Sequence, residues 1–283
     1  MGYTLAEANN TAVAEAVERY CAAYDLPEGT VAGSWKELGE EALHPDEPPL
    51  FTPEQYGTWN FPYTLFEEST RLRWVKGRSL TTGREKWVPA RFGLGLLPAY
   101  GGGEAQICFG FMTGSACGAT MDQAVLSGSL EIIERDAFMI MWYNRLSLPR
   151  LDLASCPRLA ERFRVYTEQS RFQLHLVNTT SDLGVPSVFG VLKTRDGKVC
   201  IGGAARLTQE EAVKKTLFEI SQLFMGNKHV LYQASPKSMS AVGCYGVRDA
   251  PGLLCATLRF RGAGIHLCLP YAGTDRLGAG TAG

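Results

Sequence analysis

TMDQAVLSGSLEIIERDAFMIMW, Thr120 to Trp142, carries a spacing that occurs three times in this chain. In each copy a Thr is followed at +3 by Glu or Gln, at +4 by Ala, at +11 by Glu and at +14 by Glu or Gln. The copies are Thr4, Glu7, Ala8, Glu15, Glu18; then Thr120, Gln123, Ala124, Glu131, Glu134; then Thr208, Glu211, Ala212, Glu219, Gln222. A Thr with Glu or Gln three residues on is a capping box, in which each side chain accepts from a backbone N–H that the helix start leaves unpaired. The spacing therefore predicts helices near 4–24, 120–142 and 208–226.

In the central copy Leu126, Leu130, Ile133, Ala137 and Met141 recur at steps of three and four, the apolar stripe of a helix that packs on a core. Ser127, Glu131 and Glu134 form the neighbouring stripe, with the two carboxylates one turn apart on one face. Two carboxylates held together repel, and partial burial makes each reluctant to ionise, so a positive group belongs beside them. The adjacent arginines Arg19 and Arg135 are candidates, as is a hard divalent metal taking oxygen ligands, such as magnesium carrying nucleotide phosphates. An isolated E-x-x-E usually faces water on an ordinary amphipathic helix. Three copies at one spacing favour duplication around a common site, with Gln222 breaking the full symmetry.

With 283 residues, 45% hydrophobic and 20% charged, the chain is long enough for one large or two small globular domains. Lys and Arg number 28 against 29 Asp and Glu, a net charge of -1 that argues against a nucleic-acid surface built on excess positive charge. Eight cysteines show no C-x-x-C pair and no His at ligand spacing, as expected of small buried hydrophobes in a reducing cytosol. Neither a signal peptide nor a membrane-length apolar run is present, so a soluble cytoplasmic protein is the expectation.

Mixed strands and capped helices predict an α/β (α+β) fold. A Pro- and aromatic-rich segment, Asp25 to Pro62, reads as irregular surface or lid. RLRWVKGRSL and WVPARFGLGLL around TTGREK read as a β-hairpin. Gly101 to Gly103 is a flexible connection, and Gln106 to Met112 a short apolar strand leading into the small-residue turn 113–118. That turn precedes a helix and is an anion site only as a weak signal. Cys117 lacks a local His partner among His44, His175, His229 and His266. Leu148-Pro149-Arg150 ends the central helix, and Cys156 to Glu168 suggests another. Phe172 to Asn178, Ser187 to Lys193 and Val199 to Gly203 read as strands, the last two joined at Asp196-Gly197. A polar loop runs through Ser240, Gly252 to Phe260 reads as helix, Gly264 to Leu269 as strand, and the GAGTAG tail as disordered.

The run TGSACGATMDQAVLSGSLEIIERDAFMIMWYNRLSLPRLDL resembles the signature of YcaO-type proteins. EAVERYCA, WVKGRSLTTGREKWVPA, LVNTTSDLGVPSVFGV and IGGAARLTQEEAVKKTLFEISQ agree with it in order, over most of the chain. The resemblance implies a single domain over 1–283, with three related capped helices packed on mixed β-sheets around a nucleotide site. It also implies ATP- and Mg2+-dependent chemistry on peptide backbone amides. In cyclodehydratase members a Cys, Ser or Thr side chain adds to the preceding amide carbonyl, ATP phosphorylates the resulting oxygen, and loss of phosphate leaves an azoline. Carried over by position, Glu15, Glu18, Glu131 and Glu134 hold magnesium. Thr11, Arg19, Ser127, Arg135, Glu219 and Gln222 line the nucleotide pocket. The alternative for Arg19 and Arg135 is neutralisation of neighbouring carboxylates. Trp142, Asn144 and Arg145 match family text too, Trp142 as a core residue.

The family's first helix follows a G-K-G-x-T element, and here Met1 stands where the Lys would be, with Gly2 and Thr4 matching. GIHLCLPYAGTDRLGAG resembles a strand and turn that precede more chain, and no Pro-rich tail follows. Relative to the family the sequence thus reads as truncated at both ends, and no catalytic base is identified. The implied partners are a precursor peptide and a separate leader-peptide-binding protein, with neither nucleic acid nor membrane, and a homodimer is compatible. Thioamide formation with an external sulfur source is the runner-up, and a catalytically weak scaffold that docks peptide is a third reading.

Overall fold

A computed structural model describes residues 2, 4–23, 28–94, 104–110, 112–164, 172–194, 198–226, 245–250, 253–260, 263–270 and 274–276. The turn at Asp196-Gly197, Met1, the connection Gly101 to Gly103, the loop through Ser240 and the GAGTAG tail lie outside the described residues. Contacts divide the chain into two compact units, Ala12–Ala124 and Met1–Thr11 with Val125–Gly283.

All three repeats start as helices with the expected bond to the cap Thr hydroxyl, but only the first closes the reciprocal box on the Thr backbone. Helix α1 (Leu5–Ala23) opens with Glu7 N–H donating to Thr4 Oγ1 and Thr4 N–H donating to Glu7 Oε2, both at 3.2 Å. For the 24-residue central helix, Met121–Asn144, Gln123 N–H donates to Thr120 Oγ1 and Ala119 N–H to Gln123 Oε1. For the third, Gln209–Gly226, Glu211 N–H donates to Thr208 Oγ1, whose own hydroxyl donates to Glu211 Oε2. The equivalence extends upstream. A Cβ on Gly2 would collide with Glu7 and Ala8, and one on Gly118 with Gln123 and Ala124. In the first two copies, two residues before the cap, the chain folds over the first turn too closely for a side chain.

In the smaller unit, β1 (Val31–Gly33), β2 (Leu72–Arg78) and β3 (Glu85–Pro89) form an antiparallel sheet in that order, which contains the expected hairpin. Gly83 turns it at φ 70, a conformation that suits glycine. Helical turns α2 (Trp35–Leu38), α3 (Pro53–Tyr56) and α4 (Ala90–Gly93) surround it. The core here is Trp74, Ile107, Cys108, Leu72, Phe66 and Ala42, and the Trp74 indole N–H donates to Gly33 O at 2.9 Å. The Pro- and aromatic-rich segment expected to be irregular contains β1, α2, a 3-10 turn at Gly39–Glu41 and α3, whose Thr52–Gln55 box closes as a cap; Phe51 packs on the core.

The expected strand at Gln106 to Met112 is not formed. Ile107 and Cys108 are apolar because they are buried, with no ladder partner; the segment is held by single bonds, Thr64 N–H to Gln106 O and Ala105 N–H to Arg71 O. Burial without alternation does not distinguish a strand from a packed loop.

The larger unit is built on an eight-stranded sheet. The helix α5 (Met121–Asn144) is followed by β4 (Arg150–Asp152), α6 (Pro157–Arg162), β5 (Phe172–Asn178), β6 (Ser187–Thr194), β7 (Lys198–Ala205) and α7 (Gln209–Gly226). Four strands close the order: β8 (Tyr245–Ala250), β9 (Leu253–Phe260), β10 (Ala263–Pro270) and β11 (Thr274–Arg276). Spatially the strands run β10-β9-β8-β7-β6-β5-β4-β11, antiparallel throughout except β11 on β4. The helix expected over Gly252 to Phe260 is therefore a strand, β9, paired along its length with β10 and at one end with β8. Its short Gly-bounded apolar run has no cap and fits either element until pairing partners decide.

Period-two alternation assigns the sheet's faces. Leu174, Leu176, Val188 and Leu192 face α6 and α7, where Val213, Leu217 and Ile220 are at most 2% exposed. Each such aliphatic side chain contributes about 1.5–3 kcal/mol by leaving water. Val177, Phe189, Val191 and Val199 face Met141 and Trp142 of α5, the core position expected for Trp142. Helix α7 sits close to the sheet because β6 and β7 present Gly190 and Gly202 to it: a Cβ on Gly190 would lie 2.7 Å from Ile220 Cδ1, and one on Gly202 2.9 Å from Glu219 Cβ.

Helix α5 ends at Asn144, before the Pro that was expected to stop it, through Leu146 N–H to Met141 O and a left-handed Arg145 at φ 52. Of the cysteines with described side chains, Cys108 and Cys200 are buried as expected, Cys117 and Cys156 half-buried, and Cys21 exposed. Among the described residues no helix is long and apolar enough to cross a membrane.

Candidate functional site

The second and third repeats bring their acidic positions together over β7. Glu134 projects from α5 onto Gly203, where a Cβ would stand 3.5 Å from Glu134 Oε1, while Glu219 of α7 rests on Gly202. The two successive glycines let both helices reach the end of one strand.

Glu134 is 16% exposed, Glu131 30% and their neighbour Arg135 52%. The Arg135 guanidinium is 3.5 Å from Glu134 Oε1 and 3.8 Å from Glu131 Oε1, near enough to attract and beyond good hydrogen-bond length. Burial pushes the Glu134 carboxyl up to about 7; Arg135 pulls it back, Glu219 and Glu131 push it further, and Arg206 pulls it down. Glu219 is engaged by Lys215 at 2.7 Å on its own helix.

Next to this cluster is a cavity of about 460 Å³. Thr11 and Ser127, the paired hydroxyl positions of the first two repeats, line it together with Gly2, Glu7 and Glu211. Arg206, Lys214 and Lys215 supply positive charge, and Leu126, Leu130 and Phe218 an apolar wall. Arg206 and Lys215 belong to both places, one acting on Glu134 and the other bound to Glu219. A cavity with an apolar wall, hydroxyls, three cations and the two carboxylates Glu7 and Glu211, sharing Arg206 and Lys215 with the partly buried Glu134 and Glu219, suits a phosphorylated, partly apolar ligand that carries a cation.

Six of the ten residues expected from sequence thus fall in one region of the larger unit: Thr11, Ser127, Glu131, Glu134, Arg135 and Glu219. Gln222 is exposed on the next turn of α7. Glu15, Glu18 and Arg19 lie on the part of α1 that belongs to the smaller unit, with Arg19 Nη2 2.8 Å from Glu15 Oε1, the local neutralisation weighed above. Sequence reading missed Arg206, Lys214 and Lys215. Arg206 stands two residues before its cap Thr, where the other copies have Gly2 and Gly118, so the repeat alignment could have found it.

Among the described residues no three His, Cys, Asp or Glu side chains converge as a metal site. Magnesium does not require such a cage, since one or two carboxylates with phosphate oxygens and water satisfy it. Glu131 and Glu134 fit that role: they are hard oxygen donors, half-buried or more, and Glu134 sits among like charges that a cation would relieve.

Capped repeat helices on a largely antiparallel sheet, with carboxylates beside a cation-lined cavity, define a protein built to hold an anionic ligand with a divalent metal. The chain belongs to the YcaO family: the family model, described as a YcaO cyclodehydratase binding ATP and Mg2+, matches residues 1–246. No curated protein matches the chain. Among solved structures it is similar to a heterocyclase in complex with substrate and cofactor (26% identity, TM-score 0.73, covering 86% of this chain and 34% of that one). It is also similar to the heterocyclase TruD (25%, 0.66, 90% and 43%). The YcaO protein from Methanopyrus kandleri, bound with AMPPCP and Mg2+, shares the fold at 24% identity (TM-score 0.55, 86% and 57%). The chain spans between about a third and somewhat over half of the length of these structures.

Proposed function

We propose that this chain carries out ATP- and Mg2+-dependent modification of peptide backbone amides, with cyclodehydration of Cys, Ser or Thr to thiazoline or oxazoline as the reaction. The observation that carries the reading is Glu134, a largely buried carboxylate close to Glu131 and Glu219, acted on by Arg206, which with Lys214 and Lys215 also lines a neighbouring cavity. Family membership supports the same chemistry.

Amide oxygen is a poor leaving group and phosphate a good one, so the reaction needs phosphoryl transfer to that oxygen after the substrate thiol or hydroxyl has added to the carbonyl carbon. Catalysis of such a transfer is mainly positioning and charge neutralisation. Arg206, Lys214 and Lys215 hold phosphates from one side, and Thr11 and Ser127 offer hydroxyls to the nucleotide. Glu131 and Glu134 would hold the metal, with Arg135 balancing them, while Glu15, Glu18 and Arg19 occupy the matching positions of the first repeat. A magnesium ion held there would supply charge neutralisation for the transferring phosphate. The substrate is a ribosomally made precursor peptide, presented by a separate leader-binding protein. Thioamidation is separated from this by product mass, since azoline formation loses one water and thioamidation exchanges oxygen for sulfur.

The test is Glu134→Gln, which keeps the shape and removes the charge. Magnesium-dependent nucleotide binding should fall at least about tenfold, as expected when a metal loses a carboxylate ligand, with circular dichroism unchanged. Unchanged affinity would show that the metal lies elsewhere.

A further inference from the structure

Strand β7 is half covered. Beyond its partner β6, it pairs with β8 at Lys198 and Val199, and among the described residues no strand lies against positions 201–205 on that side. The direction of its backbone groups follows from one bond. Arg206 N–H donates to Pro186 O at 2.9 Å, which extends the Ser187↔Ala205 register and makes 206 and 186 a hydrogen-bonded pair. In an antiparallel ladder such pairs alternate. Gly202 and Ala204 therefore bond to β6, while Ile201, Gly203 and Ala205 turn their N–H and C=O groups outward. Two further bonds agree: Ser187 O accepts from Thr179, away from β7, and Ala205 O accepts from its neighbour's guanidinium, Arg206 Nη1, at 2.6 Å.

At the centre of this free edge is Gly203, with Glu134 against it and no side chain of its own to occupy the space. Unpaired backbone groups along a strand edge are a template for another strand. The ligand that matches them is an extended peptide, whose own N–H and C=O groups repeat at the same interval. We propose that the peptide to be modified docks by adding a strand to the outer edge of β7 at Ile201–Ala205. Its backbone pairs with Gly203, which brings an amide beside Glu134. This rests on the peptide-modifying reading above. It adds that recognition at the reaction centre is by main chain, tolerant of sequence, and that the alternate side chains of the bound segment point to α5 and α7.

The experiment uses the full chain with MgAMPPCP and without it, and three synthetic ten-residue peptides of Gly, Val and Cys. One is unmodified, one N-methylated at every second residue, which leaves one clean edge, and one N-methylated at every consecutive residue, which leaves none. Amide hydrogen exchange over residues 201–205 should slow about tenfold with the first two peptides and be unchanged with the third. Gly203→Pro, which removes an outward N–H and adds ring atoms beside Glu134, should abolish the slowing while leaving the β6 ladder protected, whereas Gly203→Ala, which adds the Cβ and keeps the N–H, should retain it. Protection by the consecutively methylated peptide, or protection elsewhere, would overturn the proposal. So would edge amides already protected in the free chain, which would assign the edge to another segment or a second copy. Calorimetry of MgAMPPCP in the same samples separates the two claims: loss of nucleotide binding refutes the site, whereas nucleotide binding without edge protection refutes the strand addition alone.

Discussion

Two buried titratable side chains respond to pH in opposite directions, and each reports on its surroundings. Burial, with Glu219 and Glu131 adding to it, lifts Glu134 from 4.5 to about 7, so folding binds its proton more tightly. Its contribution to stability is present below the unfolded value and is lost as pH rises through about 7. Magnesium reverses the preference, because it binds the ionised form. Magnesium-nucleotide affinity should therefore rise between about pH 6 and 8 and level off above. Calorimetry across that range, flat in Glu134→Gln, checks it. His175 moves the other way. Burial first, then Arg150 and Lys193, push it from 6.5 down to about 4; its Nδ1 is 2.8 Å from Arg150 Nη2, and its Nε2 is buried. Neutral in the fold, it supports stability that is full above about pH 6.5 and lost as pH falls towards about 4. The thermal midpoint should fall over this interval and fall less in His175→Gln.

At the scale of elements, the three capped helices and the sheet from β5 to β7 could be read from sequence because their signals are local. A Thr accepts from the N–H three residues on in each copy whatever lies around it, and HLVN or SVFGV need only alternation and turns to be recognised as strands. Gln106–Met112 and β9 could not be read in this way, since an apolar run records burial and pairing is decided by distant residues. The carboxylates were legible as a repeat. Arg206, Lys214 and Lys215 were not, because a cation's role depends on which cavity its helix borders. The glycines Gly190 and Gly202 carry the same lesson, as only the packing of α7 explains them. Gly190→Val should place atoms where Ile220, Thr216 and Leu176 already are, with a first Cβ contact at 2.7 Å, and destabilise by about 1–3 kcal/mol or more in denaturant unfolding. A Val at Gly83, whose φ is 70 with open space around it, would act through backbone strain alone.

For the whole molecule, the near-balance of 28 basic and 29 acidic residues conceals local clustering, with three cations and two carboxylates around one cavity and the carboxylates Glu131, Glu134 and Glu219 grouped close by. Such an arrangement gains little from net charge and depends on a ligand that carries both signs, as a magnesium nucleotide does. The central claim is that this cluster is a working nucleotide site, and it is tested most directly by calorimetric titration of the purified chain with ATP, with and without magnesium. The account predicts saturable binding that depends on magnesium and disappears when the metal is chelated. Binding that is equally strong without magnesium, or no binding at all, would contradict it.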